Sequence, residues 1–138
     1  MKYLLSLFFL VSSSFVFSQK EASNWYFGVK AGLKFNDNGT VSALMDGQNE
    51  IYESSACISD KNGNLLFYTD GNTIWNKNHQ IMSNGDKLFG GWGLQQSSII
   101  LPKPNSTNLY YVFVVSNTGY SYGHSYSVID MNGDNGLG

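Results

Sequence analysis

Between Ser55 and Met82 the chain meets a turn signal every three to five residues, a spacing that leaves room for short strands and little else. Ala56–Ser59 is a small, mostly apolar run. Asp60-Lys61-Asn62-Gly63-Asn64 reads as a turn, because Asn and Gly take positive φ at little cost. Leu65–Thr69 has the aromatic and apolar make-up of a strand covered on both faces. Leu66 and Tyr68 are expected on one face, Leu65 and Phe67 on the other. Asp70-Gly71-Asn72 is a second turn, and Asp-Gly is a strong hairpin signal. Residues 73–76 form the next strand, Lys77-Asn78-His79 the next turn, and residues 80–82 a fourth strand. Four short strands joined by tight turns make one propeller-like blade.

The pattern recurs. Ser54-Ser55-Ala56-Cys57-Ile58, a turn, then Leu65-Leu66-Phe67-Tyr68 matches Ser97-Ser98-Ile99-Ile100-Leu101, a turn, then Leu109-Tyr110-Tyr111-Val112. Leu65 to Leu109 is a shift of 44 residues and Ser55 to Ser98 one of 43. The odd residue falls in the turn, where insertions are tolerated. Propeller blades repeat at about 40–50 residues.

Elsewhere Trp25-Tyr26-Phe27-Gly28 is an aromatic strand, and residues 29–35 alternate weakly around Gly32, a bulge or close-approach point. Asn36-Asp37-Asn38-Gly39 is a hairpin turn, residues 40–45 a strand, and Asp46-Gly47-Gln48-Asn49 a further turn. Strands follow at residues 97–101, 109–116 and 125–131, with residues 102–108 a proline-stiffened turn. No window shows the apolar spacing and caps of a helix outside the leader. The expected fold is all-β: antiparallel meanders forming an incomplete β-propeller of about two to three blades. A β-sandwich of similar strand spacing is the alternative.

Residues 1–18 read as a signal peptide. A basic start at Lys2 precedes an apolar run about half as long as the ~20 residues needed to span a bilayer, and small residues end it. Cleavage is expected after Ser18, leaving Gln19 first, with no transmembrane anchor after removal. Residues 19–138 then form the propeller-like domain. They hold seven lysines, no arginine and ten acidic residues, a formal charge of −3, which excludes a basic patch for nucleic acid. Gly and Asn each occur fifteen times, which favours turns over helices. The single cysteine, Cys57, allows no intrachain disulfide and reads as a core residue.

No catalytic or metal constellation emerges, and no cofactor is expected. Asp60-Lys61-Asn62-Gly63-Asn64 and Asn36-Asp37-Asn38-Gly39 look like minimal calcium loops but lack the closing acid, so they read as β-turns. His79 and His124, far apart, carry no metal-ligand spacing, and His79 is expected to be solvated in its turn. Ser97 and Ser98 lie on a strand rather than a nucleophile elbow. Asp46 and Asp70 precede glycines and read as turn formers, and Trp75 as core. The weak candidates for ligand or partner contact are Trp92, flanked by glycines, and the Tyr120-Ser121-Tyr122 loop.

Several stretches resemble a known family: Asn24-Trp25-Tyr26-Phe27-Gly28, Ala31-Gly32-Leu33-Lys34-Phe35, Cys57-Ile58-Ser59-Asp60, the run Asn62-Gly63-Asn64-Leu65-Leu66-Phe67-Tyr68-Thr69-Asp70-Gly71, Ile74-Trp75-Asn76, His79-Gln80-Ile81-Met82 and Tyr126-Ser127-Val128-Ile129-Asp130-Met131. Nearly all of 24–138 resembles the N-terminal region of Bacteroidota secreted or cell-surface proteins. Those proteins carry a gliding-motility-associated, type IX secretion (type B) C-terminal sorting domain. The resemblance implies a propeller, export to the surface and no enzymatic activity. It implies a non-catalytic structural or binding module whose partners are a surface protein or polysaccharide and further C-terminal blades of the same protein. A closed propeller needs ~4–8 blades, so the chain is expected to be the N-terminal portion of something longer. The alternative function is a fragment of a secreted propeller-type carbohydrate-active enzyme, which needs two facing carboxylates.

Overall fold

The computed structural model describes residues 20–50, 54–90, 94, 96–116 and 123–138. Among these residues nine strands form three antiparallel sheets of three, each in plain sequence order. The first sheet holds β1 (Asn24–Phe27), β2 (Ala31–Phe35) and β3 (Val41–Leu44). The second holds β4 (Ala56–Ser59), β5 (Leu65–Thr69) and β6 (Ile74–Asn76), and the third β7 (Ser98–Pro102), β8 (Leu109–Val115) and β9 (His124–Asp130). One 3-10 turn, Lys20–Ala22, precedes them. The all-β, antiparallel expectation holds.

Short acidic and amide side chains close the turns. Asp60 Oδ1 accepts from the amides of Asn62 and Asn64, and Asp70 Oδ1 from those of Asn72 and Thr73. Asn76 Oδ1 accepts from Asn78 and Gln80, and Asp130 Oδ1 from Asn132. These side chains supply the bonds that a tight turn denies to the backbone. In the Asn36–Gly39 loop Asn38 Oδ1 accepts from the Thr40 amide and hydroxyl and the Asn36 carbonyl from the Gly39 amide, so both loops that look like calcium loops are turns whose acceptors the chain itself uses. Gly32 is a close-approach point and not a bulge: a Cβ there would lie 2.6 Å from the Trp25 carbonyl oxygen, and the β1–β2 register runs without a slip.

The sequence repeat is a structural repeat. Cys57 pairs with Tyr68 and Ile58 with Phe67, while Ile100 pairs with Val112 and Leu101 with Tyr111. Shifts of 43 and 44 residues carry the first set onto the second. The sheets stack in order, and the first strands lie side by side, β4 beside both β1 and β7. Small polar residues line this seam. Asn24 Nδ2 donates to Ser59 Oγ and to the Gly63 carbonyl, both at 2.9 Å. Ser97 donates to Ser54 Oγ from its own Oγ at 2.7 Å and from its amide at 3.1 Å.

Two cores separate the sheets. Tyr26, Tyr68 and Trp75, with Leu44, Cys57 and Leu65 against them, fill the space between the first and second sheets. Ile58, Phe67, Ile74, Met82, Ile100, Val112, Val114 and Ile129 fill the space between the second and third. Sheet two is thus covered on both faces, as expected for Leu65–Thr69, and Phe67 and Tyr68 are fully buried on opposite sides.

Three local expectations are corrected. The register shifts at Ile58/Ser59, where Ser59 faces Leu65 and Ile58 faces Phe67, so Leu66 is the extra residue of a bulge. Leu66 therefore packs with Phe67, and Leu65 with Tyr68, the reverse of strict alternation. Residues 80–82 form no fourth strand; Ile81 makes one bridge to Trp75. The Gly85 amide bonds the Met82 carbonyl and the Ile74 amide bonds the Gly85 carbonyl, which bends the segment away after a single pair. Residues 46–49 are an irregular strap and not a turn.

Candidate functional site

The strap ties the first two sheets together. β1 points Tyr26 inward between outward-facing Trp25 and Phe27, and β5 and β6 present Tyr68 and Trp75 opposite it. The rings form a ladder: Tyr26 and Tyr68 stack with centroids 4.6 Å apart, Tyr68 and Trp75 at 5.4 Å. Offset stacks of this kind add to the area term. The polar ends of the ladder meet the strap. Tyr26 Oη donates to Asp46 Oδ1 at 3.0 Å, and the Gln48 amide donates to Tyr68 Oη at 3.1 Å. A Cβ on Gly47 would stand 3.0 Å from Tyr26 Cδ1, a contact tight enough that a side chain here would push the strap off the ring by a few tenths of an ångström.

His79 completes the cluster and corrects the expectation of a solvated histidine. It adopts a positive φ of 60° in its turn, its Nδ1 lies 3.1 Å from Tyr68 Oη, and its Nε2 lies 3.3 Å from Asp46 Oδ2. Because Tyr68 Oη already accepts from Gln48, its proton is assigned toward Nδ1, which leaves the ring proton of the neutral imidazole on Nε2, facing Asp46. Asp46 is therefore a bridge between Tyr26 and His79, not a turn former. Asn49, at the end of the strap, is fully buried, and its side-chain amide atoms have no hydrogen-bond partner among the described residues.

The electrostatics favour holding over reacting. Burial, with Asp46 and Asp70 adding to it and the Gln48 amide opposing, pushes the Tyr68 hydroxyl up to about 12. Burial and the Asp46 acceptor raise Tyr26 further. Both hydroxyls keep their protons near neutrality and act as donors rather than nucleophiles. Burial likewise raises Cys57, whose thiol donates to the Asn24 carbonyl at 2.8 Å. Asp60 titrates low: its slight burial opposes ionisation, but hydrogen bonds from Asn64, Asn62 and Gly63 outweigh it.

The other sequence candidates scatter. Trp92, Tyr120 and Tyr122 lie outside the described residues, as do Ser18 and Gln19. Trp75 is core, and Ser97 and Ser98 sit buried in the seam beside Ser54. His124 is exposed at the start of β9, remote in sequence and sheet from His79. Among the described residues no group of three or more metal-ligating side chains occurs.

Two exposed apolar faces flank the stack of sheets. The outer face of the first sheet carries Trp25, Phe27, Leu33, Phe35 and Val41, with Trp25 and Phe35 edge to face at 5.1 Å. The outer face of the third sheet carries Ile99, Leu101, Tyr111, Phe113, Tyr126 and Val128, whose rings touch at 5.7–5.8 Å. Its signal was present in the near-unbroken apolar run Leu109–Val115, since a strand apolar on both faces needs covering on both.

Comparison with protein-family models, with curated proteins and with solved structures finds no match for this chain. No helix among the described residues is long and apolar enough to cross a membrane.

Proposed function

We propose that this chain supplies consecutive blades of a β-propeller and serves as a non-catalytic structural or binding module of a secreted or cell-surface protein. One observation carries the blade reading. Each sheet covers the face of the one before it, with first strands adjacent, so the middle sheet is buried on both sides. A sandwich pairs two sheets and leaves each with one solvated face; successive blades stack without that limit. The seam of Asn24, Ser54, Ser59 and Ser97 fits the crowded inner edge of such a stack, where small hydrogen-bonded side chains let strands approach.

The non-catalytic part is supported by the Tyr26–Tyr68–Asp46–His79 cluster. Its hydroxyls are held protonated and its one carboxylate already bridges two partners. Export fits residues 1–18, and a surface protein or polysaccharide is the expected partner class. Affinity electrophoresis of the exported protein through gels cast with soluble polysaccharides, run beside a reducing-end assay, tests this. Retardation without release of reducing ends is the expected result. Turnover would overturn the non-catalytic reading and favour the carbohydrate-active alternative. Mass spectrometry of the exported chain should find Gln19 first.

A further inference from the structure

At the turn end of the first sheet's outer face lies an open cleft with an aromatic floor and a polar rim. Trp25 and Phe35 make the floor, 48% and 39% exposed and edge to face at 5.1 Å. Lys20, Ala22 and Ser23 line one side, and Asn36, Asp37 and Gly39 of the β2–β3 turn line the other. The Phe35 amide donates to the Ser23 carbonyl at 2.8 Å and ties the two sides together. Lys20 Nζ donates to Asp37 Oδ2, also at 2.8 Å. The cleft encloses about 600 Å³, inside the ~300–1,000 Å³ of small-molecule sites.

The rim separates this corner from a surface made to be covered by another sheet. Across the covered interface of the second and third sheets, Ile58 and Phe67 meet Ile100 and Val112. Covering the Lys20–Asp37 pair in that way would strip the hydration from both ions, a cost that their attraction does not reliably recover. The rest of the face, Phe27 and Leu33 among it, carries no such cost and stays available to a further blade.

The groups at the rim match hydroxyls. Lys20 and Asp37 set a donor beside an acceptor, the pair that two neighbouring hydroxyls complete. Asn36 spends both Nδ2 protons on Thr40 Oγ1 and Ser42 Oγ, which leaves its Oδ1 to accept. An indole offers its apolar face to the C–H face of a sugar ring. The ion pair is neutral as a unit, and residues 19–138 hold no arginine and a formal charge of −3, which disfavours an acidic polymer. We infer that this cleft binds a neutral hexopyranose unit of a polysaccharide, with the ring on Trp25 and its hydroxyls on Lys20, Asp37 and Asn36. The inference rests on the binding-module reading above and gives it a site.

Isothermal titration calorimetry of the exported chain tests it. The probes are cellohexaose and maltohexaose, neutral and β- or α-linked, with hexagalacturonic acid as the acidic comparison. Saturable binding of at least one neutral probe is expected, and none of the acidic one. Trp25→Ala should weaken binding by about tenfold or more, the scale of one lost ring contact, and Trp25→Phe should recover part of it. Lys20→Met should weaken it as well. Phe113→Ala removes an exposed ring from the third sheet and should change nothing. Circular dichroism checks each fold, and Lys20→Met with Asp37→Ala decides the matter where Trp25→Ala does not fold. Undiminished binding in Trp25→Ala or, where it does not fold, in that pair overturns the inference, as does an equal loss in Phe113→Ala. Equal binding of hexagalacturonic acid overturns it too. A wild type that binds neither neutral probe yet is retarded in the polysaccharide gels overturns this site alone and leaves the binding-module reading standing.

Discussion

The two interfaces of the second sheet obey one geometry and opposite chemistries. Toward the first sheet, Tyr68 and Trp75 meet Tyr26 in a ladder whose polar ends are tied to Asp46, Gln48 and His79. Toward the third sheet, Phe67 and Ile74 meet Ile100, Val112, Val114 and Ile129 in an aliphatic core, with Tyr110 edge-on to Phe67 at 5.6 Å. The repeat sets the register of both. The chemistry of each is free to vary, because packing asks for volume and hydrophobicity while hydrogen bonds ask for specific partners. The polar interface adds direction: a strap from the first sheet is fixed over residues of the second.

Adjacent residues of β6 put this difference to the test, because Ile74 faces the aliphatic core and Trp75 the ladder. Trp75→Ala should cost about 3–5 kcal/mol and Ile74→Ala about 2–5 kcal/mol in urea unfolding. A cost below about 1 kcal/mol at either site would show that its interface is not packed as described. Tyr68→Phe keeps the ring and removes the hydroxyl, stranding the Gln48 amide and His79 Nδ1. It should cost about 1–3 kcal/mol, the penalty for leaving such groups without a partner. A neutral result would mean that the strap is held by contact alone.

Both interfaces should respond to alkali, since burial also raises Tyr110 beside the aliphatic core, but the ladder holds two such tyrosines. Tyr68 titrates at about 12 in the fold against 10.0 for an ordinary tyrosine, so the folded state holds its proton where the unfolded chain has lost it. A raised value stabilises fully below pH 10, and that stability is lost as pH rises from 10 toward 12. Tyr26 shifts in the same direction for the same main cause, burial. Unfolding free energy should therefore fall through this window, and Tyr68→Phe should flatten the fall. An unchanged slope in the variant would remove Tyr68 from the account.

Strands and turns were legible in this sequence because Asn, Asp and Gly mark turns by local chemistry, and the structure uses Asp60, Asp70 and Asn76 that way. The repeat was legible because a pairing register that recurs leaves the same apolar positions at the same spacing. The bulge at Leu66 was not, since an extra residue in a run of apolar residues changes no composition. The Asp46–His79 contact was hidden as well. It joins a strap after β3 to a turn after β6, and only the stacking of two sheets brings them together. The fourth strand at 80–82 stops at one bridge because, after Met82 donates to the Ile74 carbonyl, the Met82 carbonyl turns to accept from Gly85 and the Ile74 amide bonds the Gly85 carbonyl.

Phe67 and Tyr111 hold equivalent places in the repeat, and only the covering third sheet distinguishes them. Both alanine variants should be measured in urea beside the wild type. Phe67→Ala should lose about 3–5 kcal/mol. Tyr111→Ala, which forfeits ring contacts with Phe113 and Tyr126 on an open face, should lose about 1 kcal/mol. Equal losses at the two positions would contradict a stack in which the second sheet is covered and the outer face of the third is open.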